Sequence, residues 1–292
     1  MKKKILLRIL WGLLAVVVLL MLGANVAWYL NGARWQAEYA AYRKTGAPVL
    51  MYHAVGEEEG EDWPKTLIMK PELFESHLRY LKEQGYTIVT VAELADRLQK
   101  GESVDKYVAL SFDDGYKNNY SVVLPLLQKY DAKGSFFVIN RDIGDKLHMN
   151  EKEIKGLIAA GMELGSHTYS HNPLAAIDEK YLVWETDTSR FWLKKTFDGY
   201  IVRTLAYPNG SYNDKVIAAA QKYGFYRALT GHVGINTPAT YKAAPMEMYR
   251  VTVADDGNGL EGFKKRLEQA YFFGFLQTKG IDVNVVRDVF VM

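Results

Sequence analysis

Two acidic residues stand side by side in the run Ser111-Phe112-Asp113-Asp114-Gly115, directly after the apolar stretch Tyr107-Val108-Ala109-Leu110. The apolar stretch predicts a buried strand, which places both carboxylates at a strand end. Gly115 lets the chain turn sharply there. Adjacent acids repel unless a metal ion or a shared proton offsets the charge. A surface turn is the plain alternative, because Asp-Asp-Gly suits turns. A second pair, His167 and His171 in Gly165-Ser166-His167-Thr168-Tyr169-Ser170-His171, is spaced i, i+4. On one helical turn these imidazoles would share a face and could grip one ion. Two neutral imidazoles and a carboxylate suit zinc, iron, cobalt or nickel better than magnesium.

Further polar groups follow other predicted strands: His53, the run Tyr207-Pro208-Asn209-Gly210, and His232. His77 falls on a helix face and reads as structural, and His148 falls in a loop and reads as solvated. There is no glycine-rich phosphate loop of either common type, which removes most of the case for nucleotide binding.

The elements that must position these groups alternate. Strands are predicted at Pro48–His53, Thr87–Val91, Tyr107–Phe112, Ser135–Ile139, Met162–Ser166, Thr204–Tyr207, Tyr226–Thr230 and Met248–Val253. Between them the apolar spacing predicts helices over Pro71–Gln84, Ala92–Lys100, Asn119–Tyr130 with a kink at Pro125, and Glu151–Ala160. Further helices are predicted over Asp178–Phe197 as one long amphipathic run, Asp214–Tyr223 and Leu260–Phe272. This alternation predicts a parallel α/β fold, either an open doubly wound sheet or a closed or distorted barrel. In both, functional groups gather at strand C-termini.

The chain has 292 residues, 49% of them hydrophobic, which suits one large or two modest domains. A net charge of +2 is too small to point to nucleic acid. The absence of cysteine excludes disulfides and thiolate metal sites. Lys2, Lys3, Lys4 and Arg8 precede an apolar run from Ile9 to Leu30, with Trp28, Tyr29 and Trp35 as an aromatic belt. That pattern predicts a transmembrane signal-anchor over 1–30 with the rest of the chain outside the cytoplasm. A cleaved signal peptide is the competing reading. Residues 31–47 read as a helical stalk and Glu57–Asp62 as a solvated acidic loop. The apolar residues 281–292 admit either an extra strand or a loose tail.

Taken together, Ser111–Gly115, His167-Thr168-Tyr169-Ser170-His171 and Ala206-Tyr207-Pro208-Asn209-Gly210 resemble, in order and spacing, three motifs of the polysaccharide deacetylase family (NodB-type homology, carbohydrate esterase family 4). The runs Pro48–His53 and Tyr249-Arg250-Val251 further resemble the branch acting on poly-β-1,6-N-acetylglucosamine. The resemblance spans about residues 47–272. It implies a distorted (β/α)7-type barrel over 48–272, leaving 273–292 as tail or extra strand. It implies one divalent metal ion, zinc first and cobalt, nickel or iron next, on Asp114, His167 and His171, with Asp113 as general base on a metal-activated water. The implied substrate is an extracellular or cell-wall N-acetylglucosamine polymer, with no nucleotide and no nucleic acid as partner.

Three departures stand out. Ala206 occupies the place of a family arginine that orients the base, and Arg250 is the candidate replacement. Asn209 replaces a tyrosine, with its backbone N–H still able to serve as oxyanion donor beside Tyr207 and Pro208. The L-x-H motif that supplies the general acid has no clean copy. His232, in Leu229-Thr230-Gly231-His232, is the first choice for that acid and His53 the alternative. An O-acetyl esterase or other amidase on the same fold, or a non-catalytic glycan-binding protein, are the competing functions.

Overall fold

The computed structural model describes residues 32–57, 67–281 and 283. The expected membrane span, most of the acidic loop and residues 284–292 lie outside the described residues. No helix among the described residues is long and apolar enough to cross a membrane. The chain divides into two units, residues 1–42 and 43–292. The described part of the first is a helix over 32–42, α1.

The second unit is built on an eight-stranded sheet that is parallel throughout. In chain order its strands are β1 (Val49–Tyr52), β4 (Thr87–Val89), β5 (Tyr107–Phe112), β6 (Ser135–Val138), β7 (Glu163–Ser166), β8 (Thr204–Ala206), β9 (Arg227–Leu229) and β10 (Val251–Thr252). β2 (Ala54–Val55) and β3 (Ile68–Met69) form a separate two-stranded pair. The spatial order is β10-β1-β5-β6-β7-β8-β9, with β4 beside the first half of β5. The strands are apolar on both faces because helices cover one side and the interior fills the other. In β5, for example, Val108, Ala109, Leu110 and Phe112 are all fully buried.

The sheet curves into a half-barrel. Its β9 edge is bonded to the run leading into β10, through Ala228 N–H to Pro245 O, Met248 N–H to Ala228 O and Thr230 N–H to Met248 O. Val49, Ala109, Phe137, Ala206, Leu229 and Met248 meet in one interior cluster, plugged by Leu94 and Leu98 of α3. Side chains alternate along a strand, so Ala109, Ser111 and Asp113 share the interior face. The interior face of β5 thus leads to Asp113.

The helices of this unit are α2 (Pro71–Glu83), α3 (Val91–Lys100), which closes the interior, α4 (Leu124–Lys129), α5 (Glu151–Ala159), α6 (Glu179–Val183), α7 (Ser189–Thr196), α8 (Asp214–Lys222), α9 (Pro238–Ala243) and α10 (Gly259–Thr278). Their ends follow local chemistry. Thr90 caps α3 by accepting the Glu93 N–H, and Gly101 closes it at φ 74°. Asn150 and Glu153 form a capping box on α5.

Two helices differ from their sequence expectation. The run from Asn119 is not one continuous α-helix but is irregular just ahead of Pro125. It opens as a π-turn, Asn119–Val123, with the Leu124 N–H bonded to Asn119 O, before α4. A proline leaves the preceding turn a donor short, and the wide turn sits next to it. The long helix expected over Asp178–Phe197 is likewise split by a π-turn, Trp184–Thr188. α9 and the β2–β3 pair carried no signal, and α10 runs past Phe272 to Thr278. The paired strands are shorter than their apolar runs, as in Arg227–Leu229 and Val251–Thr252.

Candidate metal and catalytic site

Asp113 is the next rung after β5, its N–H bonded to Tyr52 O of β1 at 2.9 Å. Arg250, just before β10, places Nη1 2.8 Å from both Asp113 carboxylate oxygens and donates Nε–H to Thr230 O at 2.9 Å. Both residues are 2% exposed. Burial pushes the Asp113 carboxyl up, but the charges of Arg250, His167 and His53 and the Arg250 bond outweigh it, and the net shift is downward. The cation missing at Ala206 is therefore present at Arg250, brought in by the pairing of β10 with β1.

Asp114 and Gly115 turn the chain at φ 71° and 83°. A Cβ on Gly115 would meet Val138 Cγ1 at 2.9 Å, so the close approach to β6 demands glycine. This turn swings Asp114 off the strand direction, and the adjacent acids reach different neighbours. Asp114 Oδ1 lies 3.5 Å from Nε2 of His167 and 3.5 Å from Nε2 of His171. At that distance neither pair is a hydrogen bond, and this buried oxygen has no hydrogen-bond partner among the described residues. The three ligand atoms lie within 4.8 Å of one another. Metal–ligand bonds of about 2.0–2.1 Å in a tetrahedron separate neighbouring ligand atoms by about 3.3 Å. The orphaned oxygen and its spacing therefore fit a small divalent cation.

The imidazoles are prepared for that role. His167 Nδ1 lies 2.8 Å from Ala206 O, which makes Nδ1 the protonated nitrogen and leaves the Nε2 lone pair facing Asp114. Burial pushes His167 down in spite of the Asp113 and Asp114 charges, favouring the neutral ligand form. The two histidines do not sit on a helical turn as their spacing suggested. Residues 167–171 form a loop in which Thr168 and His171 adopt φ of 69° and 61°. Bonds from Asn140 N–H to Thr168 O and Arg141 N–H to Tyr169 O hold that loop against the end of β6. The carbonyls of Thr168 and Tyr169 are taken by the turn that follows β6 rather than by a helical turn of their own.

A cavity of about 330 Å³ opens over these residues, lined among others by His53, Asp113, Asp114, His167, His171, Tyr207, Asn209 and Arg250. His53 is held by Asn119 of the first π-turn, whose Nδ2 donates to His53 O at 2.9 Å. His232 is not among the residues lining this cavity, although its neighbour Gly231 is. His232 is exposed and lines a neighbouring cavity of about 240 Å³ with Tyr212, Glu247 and Tyr249. Its ring stands edge-on to Tyr212, 6.0 Å between centroids. In the third motif the N–H groups of Tyr207 and Gly210 are taken by Leu229 O and Tyr207 O, and Pro208 has none. Asn209, at φ 54°, is the donor left in that run. The Tyr207 ring is buried and stacked on Tyr212 at 4.9 Å.

His77 is buried as expected, stacked on Phe263 at 4.0 Å. His148 is not simply solvated: Nδ1 lies 2.8 Å from Asp145 Oδ1 and its ring stacks on Tyr116. Tyr116 in turn hydrogen-bonds Asp114. Neither Tyr116 nor Asn119 carried a sequence signal: Asn119 acts on His53 across 66 positions, and Tyr116, two residues after Asp114, is held by its stack on His148.

Comparison with known proteins agrees with this geometry. The polysaccharide deacetylase family profile matches residues 100–228. The protein YxkH of Bacillus subtilis (strain 168), named for the polysaccharide deacetylases, is 31% identical over 216 residues, covering 73% of each chain. A poly-beta-1,6-N-acetyl-D-glucosamine N-deacetylase of Staphylococcus epidermidis is 26% identical over 267 residues, covering 83% of this chain and 91% of that protein. The solved structure of the Streptococcus pyogenes deacetylase PplD, in complex with acetate, superposes with a TM-score of 0.69 at 27% identity, covering 77% of this chain and 99% of that one.

Proposed function

The chain belongs to the polysaccharide deacetylase family and is a deacetylase, and on that premise we propose that it hydrolyses the N-acetyl groups of an extracellular or cell-wall N-acetylglucosamine polymer. A β-1,6-linked chain is the first candidate, because a relative of nearly full coverage carries that substrate in its name. The observation that supports the reading most is the buried Asp113–Arg250 pair standing beside the Asp114–His167–His171 cluster. It separates the two neighbouring acids into a base held ionised and a ligand.

A divalent cation, zinc first, held by Asp114, His167 and His171 would supply Lewis-acid polarisation and a more acidic water. Asp113 takes the proton of the attacking water, and Arg250 fixes its two oxygens in place. Asn209, on its left-handed bend, lines the cavity, and its N–H is the donor to the oxygen that gains charge when the acetamide carbon becomes tetrahedral. Collapse breaks the C–N bond, releasing acetate, and His53 passes a proton to the departing amine nitrogen. His53 takes this role rather than His232 because it lines the same cavity as Asp113. The free amines make the polymer cationic, which retains it on acidic surfaces. The lysine-flanked apolar run Ile9–Leu30 supports a membrane anchor with the catalytic unit outside.

The test is acetate release by the zinc-loaded protein from β-1,6-linked oligomers, chitin oligomers, peptidoglycan and O-acetylated glycans. Release from N-acetylated oligomers, abolished in Asp113→Asn with metal content retained, is expected. Release from O-acetyl esters alone would replace this reading with an esterase. No release from any of them would make the chain a binding protein.

A further inference from the structure

The loop between the two histidine ligands is held by a residue that no motif contains. Glu185 is 2% exposed although it lies on an outer helix, inside the π-turn Trp184–Thr188. Its Oε2 accepts the N–H of Tyr169 at 3.0 Å and that of Ser170 at 2.9 Å. Its Oε1 accepts the Ser170 hydroxyl and the Asn172 amide, the latter at 3.1 Å. All these groups donate and none is charged, so both oxygens work as acceptors, the pattern of a carboxylate. The donors run from the residue after Thr168 to the residue after His171.

The same helix grips the start of the loop. Ser189, four residues on, donates to Asn140 Oδ1 at 2.7 Å, and its hydroxyl lies 2.8 Å from that of Ser166. Ser166 Oγ in turn accepts the Thr168 N–H at 3.0 Å. Glu185 and Ser189, four residues apart, are both buried on one line of this helix. Neighbouring Trp184 stays 50% exposed, edge-on to Tyr169 at 4.9 Å. Without these contacts, two non-glycine residues at positive φ, Thr168 and His171, would have to hold their strained conformations unaided. Relaxation there would swing the His171 ring off the point it shares with Asp114 and His167.

We propose that Glu185 is a positioning residue that sets the affinity of the site for a divalent cation by holding the His167–His171 loop in its ligating conformation. The inference rests on reading Asp114, His167 and His171 as the ligand set. A carboxamide has one acceptor atom, so in Glu185→Gln either the two backbone N–H groups or the Asn172 amide must face a donor. Glu185→Ala removes every contact.

The experiment titrates metal-stripped protein with zinc against a chromophoric chelator, for the wild type, Glu185→Gln, Glu185→Ala and His167→Ala. Circular dichroism in excess zinc checks that each is folded. The expected zinc Kd rises about 10- to 100-fold in Glu185→Ala, the usual scale for losing a partner behind the ligands. It rises by less in Glu185→Gln, which decides the matter if the alanine variant does not fold. The zinc concentration giving half-maximal acetate release should rise by the same factor. Wild-type zinc affinity in the folded Glu185 variants, with affinity lost in His167→Ala, overturns this inference alone. Wild-type affinity in His167→Ala as well overturns the ligand set, and the inference with it.

Discussion

Replacing Arg250 by methionine should convert Asp113 from a depressed to an elevated carboxyl. The pair is fully desolvated, with Nη1 2.8 Å from both oxygens and each residue 2% exposed. Removing one partner of a buried pair costs about 3–5 kcal/mol, because the other charge is left unpaired in a poorly solvated site. Asp113 has an escape, since it can take a proton. That free energy then appears as an upward move of the Asp113 pKa. The sign then reverses with pH. In the wild type the folded carboxyl lies below its unfolded value, so its contribution is present above pH about 4 and lost as pH falls through the folded value. In Arg250→Met the folded value lies above the unfolded one, so stability is gained as pH falls through it. Chelated protein should therefore show a variant deficit of several kcal/mol in urea melts at pH 8 that shrinks toward pH 5. The acid limb of kcat/KM for acetate release should shift upward. Equal deficits at both pH values, with an unmoved acid limb, would refute the claim that Arg250 acts by holding Asp113 ionised.

Three further outcomes are expected. His53→Ala should lower kcat for acetate release by about 10²–10⁴-fold while His232→Ala stays within a few-fold, since only His53 lines the cavity of Asp113; the reverse ranking would move the acid role to His232. Burial lowers His77 to about 3, so the folded protein keeps it neutral while the unfolded chain protonates near pH 6.5. Stability is thus full above pH about 6.5 and falls by about 1.4 kcal/mol per pH unit below it, and His77→Phe should flatten that slope in denaturant melts between pH 6.5 and 4. Gly115→Ala should lower both Tm and zinc affinity, because alanine disfavours φ 83° and its Cβ would press on Val138; an unchanged melt would show that the turn has room.

Much of this molecule is written in short-range patterns. Apolar runs marked the parallel strands and helical apolar spacing marked most of the helices, while the caps Thr90 and Asn150 at two helix starts were not read from the sequence. Paired acids before Gly115 and paired histidines after an apolar run marked the ligand types, because strand ends in such folds deliver their side chains to one rim. What the histidine spacing could not convey was conformation. The same i, i+4 interval serves a helix or a loop, and the bonds to β6 decided for the loop.

The rest required residues distant in the chain to be brought together. Arg250 meets Asp113 across 137 positions because β10 pairs with β1 and β1 with β5. Which histidine shares the cavity with Asp113 depended on how the loops after β1 and β9 diverge, and both histidines follow a strand in sequence. Asn119 and Glu185 became visible only through two π-turns, which shift a helix face by a fraction of a turn and leave no periodic trace strong enough to read. Sequence by itself determined which chemical groups are present and which strand ends carry them. Tertiary structure alone decided their partners, because burial and register, not spacing along the chain, set which charge is neutralised and which oxygen is left for a metal.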